Sequence, residues 1–170
     1  MHRSTLGAIA LLIVVGSVGI SACSTATSSD ASPQQAAVVA NLPPESLQVA
    51  SFRSPTCGCC VGWVEHMRAN GFQVEDNVVE DIEAVKQEHN IPGDLASCHT
   101  AIVGGYVIEG HILAADVSRL LTEKPDVAGI AVPGMPIGSP GMESGDIRQP
   151  YAVYTFTEDG TPEVFQEHSS

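Results

Sequence analysis

Basic side chains are scarce in this chain: seven Lys and Arg stand against 20 Asp and Glu in 170 residues, a net charge of -13. Binding to a polyphosphate backbone is driven by cationic side chains that release counterions, so this balance argues against a nucleic-acid partner. An anionic membrane surface would likewise repel the chain, whereas cations are attracted to it. A membrane-length apolar run is also missing. The longest one, Leu6 to Ile20, falls short of the roughly 20 residues a helical span needs. From Ser24 to about Pro44 there is no stable apolar period, only Ser, Thr, Ala, Gln and Pro around short apolar patches. Nor does the chain carry two separated C-x-x-C pairs, the usual spacing of a structural zinc site.

The N-terminus has the layout of an export signal. Met1-His2-Arg3 is basic, the apolar run follows, and Ile20-Ser21-Ala22-Cys23 closes it with small residues before a cysteine. That ending resembles a bacterial lipobox, which implies cleavage after residue 22 and a lipidated Cys23 as first mature residue. An ordinary signal peptide cut nearby is the alternative. The expected organisation is a signal over 1–22, a flexible tether over 23–44 and a folded domain over 45–168. The expected location is the bacterial envelope facing the periplasm, with Ser24 favouring the outer membrane and the lipid as the sole membrane contact.

Four thiols then remain in an oxidising compartment: Cys57, Cys59, Cys60 and Cys98. Three of them fall in Ser54-Pro55-Thr56-Cys57-Gly58-Cys59-Cys60, immediately before a helical pattern that stops at Asn70-Gly71. A helix beginning here would aim free amide N–H groups and a positive dipole end at the sulfurs. Both stabilise thiolate, the form that attacks disulfides and binds metals. A structural disulfide between two of these thiols is the plainer reading, and it leaves the third unexplained. On the helix, Val61, Val64 and Met67 or Arg68 read as the inward stripe, with His66 and Met67 as ordinary side chains.

A strand over Leu47–Phe52 leads into this loop, and a second follows at Phe72–Glu75 with Val78-Val79 as its exit. Glu80-Asp81 opens a helix that Pro92-Gly93 stops. Ser97-Cys98-His99-Thr100 enters a third strand, Gly104-Gly105 turns it, and Tyr106–Glu109 returns. Ala114 to Glu123 reads as a helix with Val117, Leu120 and Leu121 inward. The Pro- and Gly-rich stretch Val132 to Glu143 has little helix or strand character and carries Met135 and Met142. Tyr151–Phe156 and Pro162–Phe165 flank Asp159-Gly160 as a closing hairpin.

This order of elements is similar to that of the thioredoxin superfamily. The fold class it implies is α/β: a mixed sheet flanked by helices, with the Pro/Gly/Met-rich loop and a C-terminal β-hairpin appended. In that fold the loop before the third strand lies against the N-terminus of the first helix, so Cys98 and His99 are expected to meet the cysteine cluster. Thioredoxins have a cis-proline there, and its absence weakens a peptide-exchange role. Taken together, Cys57-Gly-Cys-Cys60, Ser97-Cys-His-Thr100, Gly105-Tyr106, Glu109-Gly-His111, Pro133-Gly-Met-Pro136 and Ser139-Pro-Gly-Met-Glu143 resemble the CopG family of bacterial copper-resistance proteins. The resemblance implies copper handling in the envelope through Cys57, Cys59, Cys60 and Cys98, and His99, His111, Met135 and Met142 match family positions as candidate additional ligands; thioethers suit Cu(I), so Met135 and Met142 either complete or cover the thiolate site or pin the loop to the core.

Ligand chemistry supports the same metal, because Cu(I) is soft and favours thiolate, thioether and imidazole over carboxylate oxygen. Zn(II) also accepts four cysteines and ranks second. The expected function is therefore sequestration of Cu(I) or a change of copper oxidation state, with other envelope copper-handling proteins as candidate partners. A thiol-disulfide oxidoreductase using Cys57 as nucleophile and Cys60 as resolving thiol is the alternative. A scaffolding lipoprotein is the third reading. For a shared metal bonded at about 2.3 Å, the four sulfurs must come within roughly 4 Å of one another, or somewhat more before metal arrives.

Overall fold

Strand β1, Gln48–Arg53, turns Val49 and Ser51 to its buried face, and every other element is laid around it. The computed structural model describes residues 33–169 except Gly160; the signal segment, Cys23 and the first part of the expected tether lie outside the described residues. After β1 come α2 (Gly58–Ala69), β2 (Gln73–Val78), α3 (Ile82–Glu88), β3 (His99–Val103), β4 (Tyr106–Glu109), α4 (Ala114–Glu123), β5 (Gly129–Ala131), β6 (Tyr151–Phe156) and β7 (Pro162–His168). A first helix, α1 (Pro33–Ala40), and a 3-10 turn at Pro44–Leu47 precede β1.

The seven strands form one open mixed sheet in the order β2-β1-β3-β4-β5-β6-β7. β1 runs parallel to β2 and antiparallel to β3, and the tight turn at Gly104-Gly105 makes β3 and β4 antiparallel. This is the expected thioredoxin-like arrangement. β5 then adds parallel to β4, and the closing hairpin of β6 and β7 extends the sheet. β5 has only three residues and no alternating pattern, so the sequence gives it no signal. Its first residue must be glycine, since a Cβ on Gly129 would lie 2.1 Å from the Val107 carbonyl oxygen across the strand pair.

The core lies between the sheet and its helices. On α2 the buried positions are Cys60, Trp63, Val64 and Met67, a spacing of three and four that faces one side. Val61, expected inward, is instead 36% exposed, and the stripe is displaced by one position towards Cys60 and Trp63. On α4, Val117, Leu120 and Leu121 are buried as expected. Among the described residues no helix is long and apolar enough to cross a membrane.

Residues 33–44 differ from the expected flexible tether. Pro33–Ala40 is helical, Asn41 Nδ2 donates to the Ala37 carbonyl, and Val39 is buried in the core cluster beside Gly71. One apolar side chain seated at the end of α2 anchors a segment too short to show a period in the sequence.

Candidate metal centre

The centre begins where β1 ends. The Cys57 amide donates to the Ser54 carbonyl (3.3 Å), closing the Pro55-Thr56 turn, and Cys57 sits at the N-cap of α2 in an extended conformation. Cys57 and Cys60 are joined as a disulfide with a Cα separation of 5.5 Å, while Cys59 and Cys98 are free thiols. Cys60 is fully buried and the other three are partly so.

Cys98 arrives from the loop before β3, as the fold predicts. Its Sγ lies 3.4 Å from Cys60 Sγ and 3.9 Å from Cys59 Sγ, and Cys59 Sγ lies 3.5 Å from Cys57 Sγ. All four sulfurs fall within 4.8 Å of one another. A second group shares Cys98, since its sulfur and ring nitrogens of His99 and His111 also fall within 4.8 Å.

Hydrogen bonding sets the tautomer of His111. Nδ1 lies 2.7 Å from the Pro140 carbonyl, which can only accept, so Nδ1 carries the hydrogen. Nε2 then holds a lone pair 2.9 Å from Cys98 Sγ, where it accepts the thiol hydrogen. His99 Nδ1 is 3.5 Å from the same sulfur, and its Nε2 is buried with no hydrogen-bond partner among the described residues. The His99 ring packs on Trp63 at 4.5 Å between centroids and meets His111 edge-on at 5.0 Å. Trp63 is held by its own Nε1–H bond to the Ile112 carbonyl, 2.9 Å.

Burial dominates the protonation equilibria. It pushes the Cys98 thiol up to about 12, with the neighbouring Cys59 adding to the rise. Burial lowers His99 well below the ordinary imidazole value, with His111 and Lys86 contributing; burial also lowers His111, against the opposing pull of Pro140 and Glu143. Both imidazoles are thus neutral and can donate a lone pair. A soft cation that displaced the Cys98 proton would meet thiolate and imidazole together, a donor set that suits copper.

The loop from Val132 to Glu143 is seated on the first turns of α2 by a contact between two glycines. A Cβ on Gly62 would lie 2.8 Å from Gly141 Cα, and one on Gly141 would lie 2.4 Å from the Cys59 carbonyl. Met142, next in the chain, is partly buried. Met135 is 50% exposed and lines an open pocket with Pro133, Gln149, Tyr151 and Tyr154, which no cysteine lines. His66 accepts from the Ala114 amide (3.0 Å) at the start of α4, and Met67 belongs to the core, so neither joins the centre.

Lys86 was not anticipated near this centre. It is buried and paired with Glu109, which accepts in addition from the Ser97 amide (2.6 Å) and Thr100 Oγ1 (2.7 Å). Its place on α3 carried the signal: Ile82, Val85, Lys86 and His89 share one helical face, and all four are at least partly buried.

A family described as "Protein of unknown function, DUF411" matches residues 95–142, the segment holding Cys98, His99, His111, Met135 and Met142. No curated protein matches the chain. Two solved structures named copper resistance protein copG are similar to it. Form 1 is 44% identical with a TM-score of 0.70, covering 74% of this chain and 100% of its own. Form 2 is 44% identical with a TM-score of 0.69, covering 72% of this chain and 98% of its own. With that identity over their whole length and a shared fold around the cysteine cluster, the chain belongs to the CopG family of copper resistance proteins.

Proposed function

We propose that this chain handles copper in the bacterial envelope, taking up Cu(I) on Cys57, Cys59, Cys60 and Cys98 with His99 and His111 as further donors. The observation that carries the reading is the convergence of four sulfurs within 4.8 Å, with Cys98 shared by the histidine group. Thiolate and imidazole are soft or borderline donors, and they favour Cu(I) over the harder cations that the acidic surface attracts.

The Cys57–Cys60 disulfide adds a redox dimension. Of the four clustered cysteines, Cys59 and Cys98 are free in this state, so full loading requires two electrons and two protons to restore the other two thiols. The reverse direction balances equally: two thiols reduce two Cu(II) to two Cu(I), form the disulfide and release two protons. One centre therefore supports both holding copper and changing its oxidation state. Lipidation at Cys23 would hold this chemistry at the membrane face without touching it.

Anaerobic purification after reduction, followed by metal analysis, tests the reading. One or more copper ions per chain, retained against a Cu(I) chelator, is the expected result. A second reading is favoured by one observation, the disulfide at the N-terminus of α2, which is where a thiol-disulfide oxidoreductase carries its active pair. Metal-free protein that reduces insulin through Cys57 and Cys60 and takes up no copper would establish that reading instead.

A further inference from the structure

Cys98 differs from the other three cysteines because no helix holds it. It lies in the loop before β3, yet its sulfur must stay within 3.4 and 3.9 Å of Cys60 and Cys59. Bonds to Gly134 hold part of that loop, the Ser97 hydroxyl donating to its carbonyl (2.5 Å) and its amide donating to the Ala96 carbonyl (3.3 Å), and the rest of the hold comes from β4 and just beyond it. The Glu109 carboxylate, fully buried at the end of β4, accepts from the Ser97 amide with one oxygen and from Thr100 Oγ1 with the other. Lys86 from α3 balances its charge. The next residue, Gly110, has a positive φ of 80° and lies so close that a Cβ would sit 2.6 Å from Ser97 Cβ and 2.7 Å from the Val132 carbonyl. On the far side of Cys98, His111 Nε2 meets its sulfur. Glu109-Gly110-His111 thus meets Ser97-Cys98 at the Ser97 amide, the Ser97 side chain and the Cys98 sulfur in turn.

We propose that Glu109 is a positioning residue for the metal centre: with Lys86 as its counter-charge, it holds the Ser97 amide and thereby fixes the Cys98 sulfur at the cluster. This rests on the copper reading for its purpose, although not for its geometry. A buried ion pair is poor evidence of stability, since an apolar pair of similar volume often serves the fold as well. The placement of this one is better explained by the amide it captures. Groups that orient metal ligands from behind commonly change metal affinity by about 10- to 100-fold when they are removed.

Two double variants separate positioning from packing. Lys86→Met with Glu109→Gln removes both charges and keeps an oxygen for the Ser97 amide. Lys86→Met with Glu109→Leu removes the charges and the acceptor together. In metal-free, disulfide-intact protein, hydrogen exchange at the Ser97 amide and alkylation of Cys98 are expected to be roughly tenfold faster in the leucine variant than in the glutamine variant. Cu(I) affinity, from chelator competition after reduction, is expected to follow the same order, with the glutamine variant close to the parent. Equal exchange, alkylation and affinity in the two variants would overturn the proposal. So would a Ser97 amide that exchanges freely in the parent protein, a measurement that needs no variant to fold. A parent protein with a protected Ser97 amide and no Cu(I) uptake would leave the positioning intact and refute only the copper reading.

Discussion

The two ends of the central strands bury opposite chemistry. At one end β3 finishes in Val103, and Val49, Val64, Met67, Phe72, Leu120 and Leu121 enclose an aliphatic and aromatic core. At the other end β3 starts with His99 and Thr100, β4 finishes in Glu109, and Cys60, His111 and Lys86 complete a polar interior of similar depth. The first end stabilises the fold by removing apolar area from water. The second carries a desolvation cost that it offsets with hydrogen bonds and ion pairing, and it leaves His99 Nε2 without a partner among the described residues and Cys59 with sulfur contacts of 3.5 and 3.9 Å. Stability and ligand chemistry are thus assigned to different ends of the same strands.

Four measurements test that division. The largest effect is expected from Cys98→Ser, which removes the sulfur shared by both donor groups: copper retained after anaerobic desalting should be largely lost, while the denaturation midpoint shifts by about 1 kcal/mol equivalent. Copper content equal to the parent would show that the cysteine helix suffices alone. Leu120→Ala, in the opposite end, should cost about 2–5 kcal/mol by urea unfolding and leave the copper-to-protein ratio of the folded protein unchanged. Loss of copper in that variant would mean the two ends are coupled.

A third measurement concerns a buried acid outside both ends. Asp116, in the first turn of α4, accepts from or pairs with His168 of β7 at 2.7 Å, near Arg119 and Tyr151. Burial raises its carboxyl above the ordinary 3.8 despite the His168 and Arg119 charges. The folded state then binds more protons than the unfolded one just above pH 3.8, so this group's contribution to stability is lost as pH rises through that acidic window. His99 and His111, lowered below 6.5, act with the opposite sign and weaken the fold as pH falls below that value. Comparing Asp116→Asn with the parent isolates the first effect: the difference in stability between them should change with pH above 3.8. A pH-independent difference would refute it. The smallest effect is expected from Met135→Leu, which should alter stability by less than about 1.5 kcal/mol and leave Cu(I) affinity unchanged, because Met135 lines a pocket without cysteines.

What the sequence disclosed follows the same division. The helix Ala114–Glu123 and the Gly104-Gly105 turn were legible because each has a local cause: a periodic face, or a backbone that only glycine adopts readily. The meeting of Cys98 with Cys57, Cys59 and Cys60 was legible through the fold's connectivity. β5 was not, because three residues give no period and their strand identity comes wholly from the neighbours. Lys86 with Glu109 was missed for a different reason: composition places charged side chains at the surface, and the partner that makes burial tolerable lies on another element. The Cys57–Cys60 bond stood among several readings of one motif, and spacing alone could not choose between a bond and a metal.

Trp63 is the chain's single tryptophan, its ring tilted against His99 at 4.5 Å and its Nε1–H bonded to the Ile112 carbonyl. Its emission therefore reports one address, on the border between the apolar core and the end that holds the cysteine cluster. Reduction of the disulfide, arrival of a thiolate-bound metal and protonation of the neighbouring imidazole each alter its quenching before any unfolding occurs. A fluorescence melt of this protein accordingly combines changes at the centre with changes in the fold, and it gives a folding free energy only where far-UV circular dichroism traces the same transition.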